Sequence, residues 1–360
     1  MRFVQIPNIK NAWGNVAINT LSPSSYVWTT QGCGYQVLLQ KVLQSFSNKS
    51  LILPPNRNII LGTIIHKIYE LSQKGELQNF MDLKNKWEEL IDKEKKHITD
   101  TYPTLCNASI NDYDKRNSAI RFALGIIKTS SSKFSTQKKY SVFSEKWLDC
   151  SSIGLIGIAD KIIVDNEYVD IIDYKSGYVT DDNGDIKEEY RTQLHLYAAM
   201  CSHISLGIPR TLSLIDIEGK HFDVPYSQDY CKSLLYNVKE TILKLNNTIS
   251  TGNFQTIAKP DLGMCVKCNC RHACQYRDMS IDSYYQTITG KVTKISSTNM
   301  LVLYSKKKSV YISGLDTYNV DSLQEYLGRT LTFVNVTCAT QATDNNTYKT
   351  TDNTLIYEQL

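Results

Sequence analysis

No apolar run in this sequence approaches the roughly 20 residues that a membrane-spanning helix needs. The opening Met1-Arg2-Phe3-Val4-Gln5 lacks the charged and then apolar pattern of a secretory leader. Both absences point to a cytoplasmic chain with no membrane partner. Excess charge of one sign is also scarce. Forty lysines and arginines face 36 aspartates and glutamates, a net of +4. With so weak a global field, a polyanionic partner would have to be met by local basic clusters. Lys84–Lys96, Lys133–Lys139 and Lys306–Lys308 are such runs, the first mixed with acids. There is no internal repeat and no long low-complexity tract, which excludes a repeat array.

What the chain does have is length, apolar content and cysteine. Its 360 residues accommodate two domains, or one large domain with additions. A hydrophobic content of 42% permits a sizeable core. In a reducing compartment the tight group Cys265, Cys268, Cys270 and Cys274 suggests metal rather than disulfides. The scattered Cys106, Cys150, Cys201, Cys231 and Cys338 read as ordinary semi-buried residues.

Helical signals come first along the chain. Leu21-Ser22-Pro23-Ser24-Ser25 is a helix start, and Tyr35, Val37, Leu38, Leu39 and Val42 follow Cys33 with helical spacing. Pro54-Pro55 breaks the chain, and Ile59–Leu71, Leu83–Lys96 and Asn117–Thr129 read as further helices. The pattern then turns to strands at Tyr140–Trp147, Leu155–Ile163 and Tyr168–Tyr174. Helix Tyr190–Ala199, strand Thr211–Ile217 and helix Tyr226–Leu245 follow. After about residue 284 come five short strand-like runs, at Thr287–Lys294, Met300–Tyr304, Val310–Ser313, Leu331–Val336 and Thr354–Tyr357, with a brief helix at Leu323–Leu327. That trace fits a small β-barrel of the OB type. An SH3-like barrel or an extra sheet would leave much the same trace. The expected division is 1–283 for an α/β domain and 284–360 for the barrel.

The chemistry concentrates in Gly157-Ile158-Ala159-Asp160 and Asp173-Tyr174-Lys175-Ser176-Gly177. Between them, the runs Ile162–Val164 and Tyr168–Ile172 flank the turn segment Asp165-Asn166-Glu167, so the natural reading is a hairpin. It brings Asp160 and Asp173 to one end of a sheet with Lys175 beside them. Two hard oxygen ligands suit Mg²⁺ or Mn²⁺. An adjacent lysine can orient a water or offset charge building on a phosphate. Alone, an Asp-Tyr-Lys tripeptide is more often a surface ion pair. Three additions change the weighing. Glu145 lies in Val142-Phe143-Ser144-Glu145-Lys146-Trp147, a strand that can lie beside the hairpin. Gln193 and Tyr197 share a helix face at i and i+4. Gly62-Thr63-Ile64-Ile65-His66 supplies an imidazole able to bind metal. His195 is off the Gln193–Tyr197 face and reads as an ordinary packed histidine.

In this order, Gly-x-x-x-His, Glu, Gly-x-x-Asp, Asp-Tyr-Lys-x-Gly and Gln-x-x-x-Tyr resemble the RecB-type branch of the PD-(D/E)XK nuclease superfamily, over residues 20 to 276. The resemblance implies an α/β fold with a restriction-endonuclease-like mixed sheet flanked by helices. It implies that His66, Asp160 and Asp173 bind the metal, with the Tyr174 carbonyl as a further ligand. Lys175 would position or activate the water and stabilise the transition state. Gln193 and Tyr197 would support the site and contact DNA. Glu145 would be an outer carboxylate behind the ligands.

The second motif is Cys265-x-x-Cys268-x-Cys270-x-x-x-Cys274. The residues alone allow a compact zinc site, with His272 as a further donor. A subset of RecB-type nucleases instead closes a [4Fe–4S] cluster with one cysteine before the core and a Cys-x2-Cys-x5-Cys triplet after it. Cys265, Cys268 and Cys274 have that spacing, and Cys33 stands where the lone cysteine belongs. The pattern is similar to the CRISPR-associated RecB-type exonucleases, the AddB subunit and the eukaryotic flap-processing nuclease-helicase. Such a cluster would clamp the N-terminal helix to the end of the core. Cys270, inside the triplet, departs from the pattern.

Twenty-three tyrosines is a high count. Tyr276, Tyr284, Tyr285, Tyr304 and Tyr311 fall at or after the cysteine group. Exposed on a barrel they can stack unpaired bases; buried, they pack between strands. The resemblance thus implies a metal-dependent DNA nuclease, an exonuclease on single-stranded ends. The alternative is a DNA-binding or scaffolding subunit of a repair, CRISPR-adaptation or antiviral-defence complex, with weak or latent hydrolysis. No Gly-x-x-x-x-Gly-Lys-Ser/Thr motif is present, so any unwinding would come from a helicase partner.

Overall fold

The computed structural model describes residues 2–102, 105, 110, 112–132, 140–277, 286–296, 300–315, 323–339 and 346–360. The Lys133–Lys139 run, Cys106, Tyr284, Tyr285 and the expected boundary at 283/284 lie outside the described residues.

After a short strand β1 (Val4–Ile6), the first part of the chain is helical: α1 (Pro23–Thr30), α2 (Gly34–Ser45), α3 (Arg57–Gln73), α4 (Phe80–Thr101) and α5 (Tyr113–Ser132). The Ser22 hydroxyl caps α1 by accepting from the Ser25 N–H at 3.0 Å, with Pro23 in the first turn. Asn56 caps α3 in the same way. The segment Gln31-Gly32-Cys33 separates α1 from α2, and Cys33 is the residue immediately before α2.

A five-stranded mixed sheet follows. Its strands are β2 (Tyr140–Cys150), β3 (Leu155–Asp165), β4 (Tyr168–Lys175), β5 (Ile208–Asp216) and β6 (His221–Val224), and they lie in that spatial order. The β3–β4 hairpin turns at Asn166-Glu167, with Asp165 opposite Tyr168. β4 and β5 are parallel, joined by the crossover helix α6 (Glu188–His203). α7 (Gln228–Thr251) and α8 (Leu262–Lys267) complete this part.

Side-chain alternation sends the two faces of the sheet into different cores. Ile162, Ile171 and Leu212 pack with Tyr26 of α1, Leu194 of α6 and Val238 of α7. Tyr174 and Ile215 pack on the other side with Ile64, Trp87 and Ala123 of α3, α4 and α5. Gly157 matters to the first face. A Cβ there would lie 3.0 Å from Pro23 Cδ and 3.5 Å from Tyr197 Cε1, so glycine lets α1 and α6 both approach β3. Helices on both faces of a mixed sheet are consistent with the expected restriction-endonuclease-like fold.

The last strands are β7 (Gln286–Ile295), β8 (Leu301–Ser305), β9 (Lys308–Ser313), β10 (Thr330–Cys338), β11 (Thr347–Lys349) and β12 (Leu355–Gln359). Five of them close a ring, β7-β8-β9-β11-β10 and back to β7, around Ile288, Leu303, Ile312 and Phe333. The ring differs from the sequence expectation in one respect. The predicted strand at Thr354–Tyr357 is β12, which pairs with β10 outside the ring. The ring's fifth member is the three-residue β11, parallel to β9. β12 also pairs in parallel with β1, so Val4–Ile6 joins this second sheet. Val334, Leu355 and Tyr357 belong to the apolar cluster of α3 and α4, and the Tyr357 hydroxyl donates to the Ser50 carbonyl at 2.9 Å. Among the described residues, no helix is long and apolar enough to cross a membrane.

Candidate active site

The β3–β4 ladder ends at Lys161 and Ile172. One step further, Asp160 and Asp173 face each other where the strands part. The Tyr174 N–H then donates to Asp160 Oδ2 at 2.7 Å instead of continuing the ladder. Asp160 thus has one oxygen held by the backbone and the other directed at His66 of α3, 3.3 Å from Nδ1. His66 Nε2 lies 3.1 Å from the Tyr174 carbonyl.

On the other side of the hairpin, β2 brings Glu145 to the same place. Its Oε1 is 3.8 Å from His66 Nδ1. His66, Glu145 and Asp160 offer ligand atoms that all lie within 4.8 Å of one another. Glu145 reaches them through an unusual backbone: φ is +51°, in the left-handed region, within an otherwise extended strand. For a non-glycine residue that costs about 1–2 kcal/mol. Strain of this kind concentrates where a side chain must be aimed.

The electrostatics follow from this crowding. Burial, the largest single influence, would lower the pKa of His66, but the Asp160, Asp173 and Glu145 carboxylates together outweigh it, and the imidazole is pushed up to about 9. The Glu145 carboxyl is raised by burial and by Asp160. Asp160, Asp173 and Glu145 therefore all act on the one imidazole. The same donor set, with hard oxygens and one imidazole, fits Mg²⁺ or Mn²⁺.

Asp173 does a different job in this arrangement. It is 3% exposed, and its Oδ2 is 2.6 Å from Lys175 Nζ. Burial raises the Asp173 carboxyl, against the pull of Lys175. For Lys175, burial opposes the charge, but Asp173, Asp160 and Tyr190 together more than compensate, so the ammonium is raised. Lys175 also donates to Gln193 Oε1 at 2.8 Å and sits 4.5 Å above the Tyr190 ring. The Tyr197 hydroxyl donates to the Ile158 carbonyl at 2.6 Å, fixing α6 against β3. Burial raises the phenol far above its ordinary value.

All seven residues read from the sequence as site members thus meet here, together with the Tyr174 carbonyl. Glu145 stands in the cluster with His66 and Asp160, whereas Asp173 pairs with Lys175. Tyr190 was not singled out by the sequence. Its only signal is the spacing Tyr190-x-x-Gln193-x-x-x-Tyr197 on one helix. His195 is buried away from the site, its Nδ1 at 2.8 Å from the Arg191 carbonyl and its Nε2 accepting from the Ser227 N–H.

The cysteines form a separate site. Cys33, Cys265, Cys268 and Cys274 line one partly open cavity. Cys270 is fully buried beside it, with Sγ 3.2 Å from Asn269 Oδ1, and does not line the cavity. The Lys259 N–H points at Cys33 Sγ at 3.4 Å. Arg271 and Arg277 also line the cavity and donate to the carbonyls of Cys268 and Cys274 respectively. Two cations among four thiols, Arg271 buried and Arg277 half-buried, fit a group held by thiolates. His272 is engaged elsewhere, with Nε2 at 2.9 Å from the Leu51 carbonyl and its ring against Tyr357. Burial pushes its pKa down to about 3.

A model of the PD-(D/E)XK nuclease superfamily matches residues 20–275. No curated protein matches. Among solved structures, a crystal structure from Eubacterium rectale named "putative exonuclease" is 15% identical. That match covers 78% of this chain and 97% of the other, with a TM-score of 0.39.

Proposed function

Because the chain belongs to the PD-(D/E)XK nuclease superfamily, we propose that it is a Mg²⁺- or Mn²⁺-dependent deoxyribonuclease of the RecB type, acting as an exonuclease on single-stranded DNA ends. The observation that carries this reading is the meeting of His66, Glu145 and Asp160 within 4.8 Å, beside a buried Lys175 held at 2.6 Å by Asp173. His66, Asp160, Glu145 and the Tyr174 carbonyl would hold the cation, with Asp173 adjoining. When bound, the cation supplies Lewis acidity at the scissile phosphate and favours ionisation of water. The protein's own part is positional and electrostatic. Lys175, kept as an ammonium by Asp173 and aimed by Gln193 and Tyr190, offsets charge on the phosphoryl oxygens as the water oxygen bonds to phosphorus and gives its proton to solvent, and as the P–O ester bond breaks and the departing oxygen takes a proton from solvent. A group so held gives up protons poorly, which makes it a stabiliser rather than the base.

We assign Cys33, Cys265, Cys268 and Cys274 to a [4Fe–4S] cluster. Supporting this are their shared cavity and the exclusion of both Cys270 and His272 from its lining. A cluster there would tie the start of α2 to the segment after α7 and close a loop of more than two hundred residues. We assign the barrel to the OB type. Support comes from its ring order, in which the third and fifth strands (β9 and β11) are parallel, and from the helical residues Leu323 and Gln324 between the third and fourth.

The test is a cleavage assay on protein purified without oxygen, with Mn²⁺ or Mg²⁺ and end-labelled single- and double-stranded DNA. Metal-dependent release of nucleotides from single-stranded ends, lost in Asp173→Ala and Lys175→Ala, is expected. No cleavage by the wild type, or equal cleavage by both variants, overturns the enzyme reading and leaves the DNA-binding subunit in its place.

A further inference from the structure

Four of the five ring strands, β7, β8, β9 and β11, together carry basic but no acidic residues. The chain as a whole is nearly balanced in charge, with 40 basic and 36 acidic residues. Yet Gln286–Ile295, Leu301–Ser313 and Thr347–Lys349 hold six lysines and no aspartate or glutamate. All six lysines are exposed.

Register shows how they are arranged. Leu301, Leu303, Val310 and Ile312 point into the barrel, so their neighbours point out. Tyr304 on β8 and Tyr311 on β9 both lie on this outer face, with relative exposures of 52% and 37%. Tyr304 is opposite Ser309, and Tyr311 is opposite Val302, so the two rings are diagonal neighbours across the hairpin. Lys291 of β7 is opposite Tyr304, and Lys294 is opposite Val302. On the far side, Thr347 of β11 is opposite Tyr311, and Lys349 is opposite Ser313. The face therefore runs from lysine through two open tyrosines to lysine. By contrast Tyr276 is packed edge-on against Tyr35 at 5.0 Å and is not available for such a role.

The turn of the hairpin adds an independent sign. Lys306 and Lys307 form its two-residue loop, with φ of +46° and +66°. That conformation favours Asn-Gly or similar pairs. Lysine in both positions is locally unfavourable, and a third lysine, Lys308, follows directly. The structure gives these side chains no folding role that offsets the cost, since none of them has a described ion pair or hydrogen bond.

We propose that this face is a binding surface for single-stranded DNA, separate from the hydrolytic site. Open aromatic rings bordered by cations suit unpaired bases, whose flat faces stack on tyrosine while the lysines meet phosphates. A duplex hides those base faces and gains only the charge term. The choice of DNA over RNA rests on the nuclease reading above.

The test measures binding, not cleavage. The full chain carrying Lys175→Ala is titrated against fluorescein-labelled dT20, rU20 and a 20-base-pair duplex, following anisotropy at several salt concentrations. The expected result is preference for dT20. Tyr304→Ala/Tyr311→Ala should weaken dT20 binding by about 30-fold or more, from about 1–3 kcal/mol per stacked base. Tyr304→Phe/Tyr311→Phe should restore most of it. Lys306→Glu/Lys307→Glu/Lys308→Glu should flatten the log–log salt slope by about 2, given a slope near 0.7 per phosphate contact on single strands. Melting unchanged from the Lys175→Ala parent shows that the fold is intact, since the tyrosines and lysines altered on the barrel are exposed. Binding of dT20 no tighter than duplex, or equal binding by the parent and the alanine pair, overturns the surface. Tighter binding of rU20 overturns its assignment to DNA. The cleavage assay is independent of these results, so either reading can fail alone.

Discussion

Glu145 stands directly across from Asp160 in the β2–β3 register, yet the ladder omits that pair. Ser144 pairs with Lys161 and Lys146 with Ala159, while Glu145 takes φ +51° between them. The strand keeps its register on both sides, so the distortion changes only where one carboxylate points. It turns Glu145 toward His66. A glycine at this position is free of the left-handed penalty, and alanine is not. Glu145→Gly is therefore expected to be about 1 kcal/mol more stable to urea than Glu145→Ala. Both should bind Mn²⁺ more weakly than wild type by calorimetry. Equal stability of the two variants would place the strain elsewhere.

Lys175 is held from three directions by Asp173, Gln193 and the Tyr190 ring. Lys175→Ala should lower single-turnover cleavage by about 10²–10³, the usual loss for one group aimed at developing charge. Gln193→Ala leaves the charge and removes one guide, so its loss should be smaller and confined to kcat. Tyr190→Phe keeps the ring face and should cleave like wild type, whereas Tyr190→Ala should not. If the phenylalanine and alanine variants behave alike, the ring does not position the lysine.

The four cavity cysteines and the excluded Cys270 make opposite predictions. On the cluster assignment proposed above, Cys33→Ser should lose iron, the broad visible charge-transfer band and thermal stability together, because it would remove the ligand joining the N-terminal helices to the segment after α7. Cys270→Ser should keep iron and colour, because its thiol does not line the cavity. Metal analysis beside an absorption spectrum checks both. Iron retained in Cys33→Ser, or one zinc in the wild type, would point to the compact site formed by residues 265–274.

The hairpin holding Asp160, Asp173 and Lys175 was readable because its signals are local: two apolar runs, a polar turn and a spacing that lands both carboxylates past the last rung. The helices carrying His66, Gln193 and Tyr197 were readable from period and caps. What escaped depends on distant partners. The strand carrying Glu145 is legible, but nothing in Ser-Glu-Lys announces a left-handed backbone. Tyr190 touches Lys175 only once α6 is docked against the sheet. β6 and β11 are four and three residues long, too short for an alternating pattern to stand out. β1 pairs with β12 across almost the whole chain, and Gln5 Nε2 reaches Glu358 Oε2 at 3.0 Å. No window of sequence contains both.

His195 links pH to stability rather than to the reaction. Its Nδ1–H donates to the Arg191 carbonyl and its Nε2 accepts from the Ser227 N–H. The ring is packed between Tyr226 and Tyr230. Both nitrogens are used, and a proton on Nε2 would break the second bond. Burial lowers the folded-state pKa below its ordinary 6.5. A depressed value means that the stabilisation is complete above about pH 6.5 and is lost as pH falls through the folded-state value. The urea midpoint of the wild type should therefore drop between pH 7 and pH 5. In His195→Gln, which keeps an acceptor near the Ser227 N–H but cannot titrate, the midpoint should be lower at pH 7 and change less with pH. Parallel slopes in the two proteins would assign the acid loss to other groups.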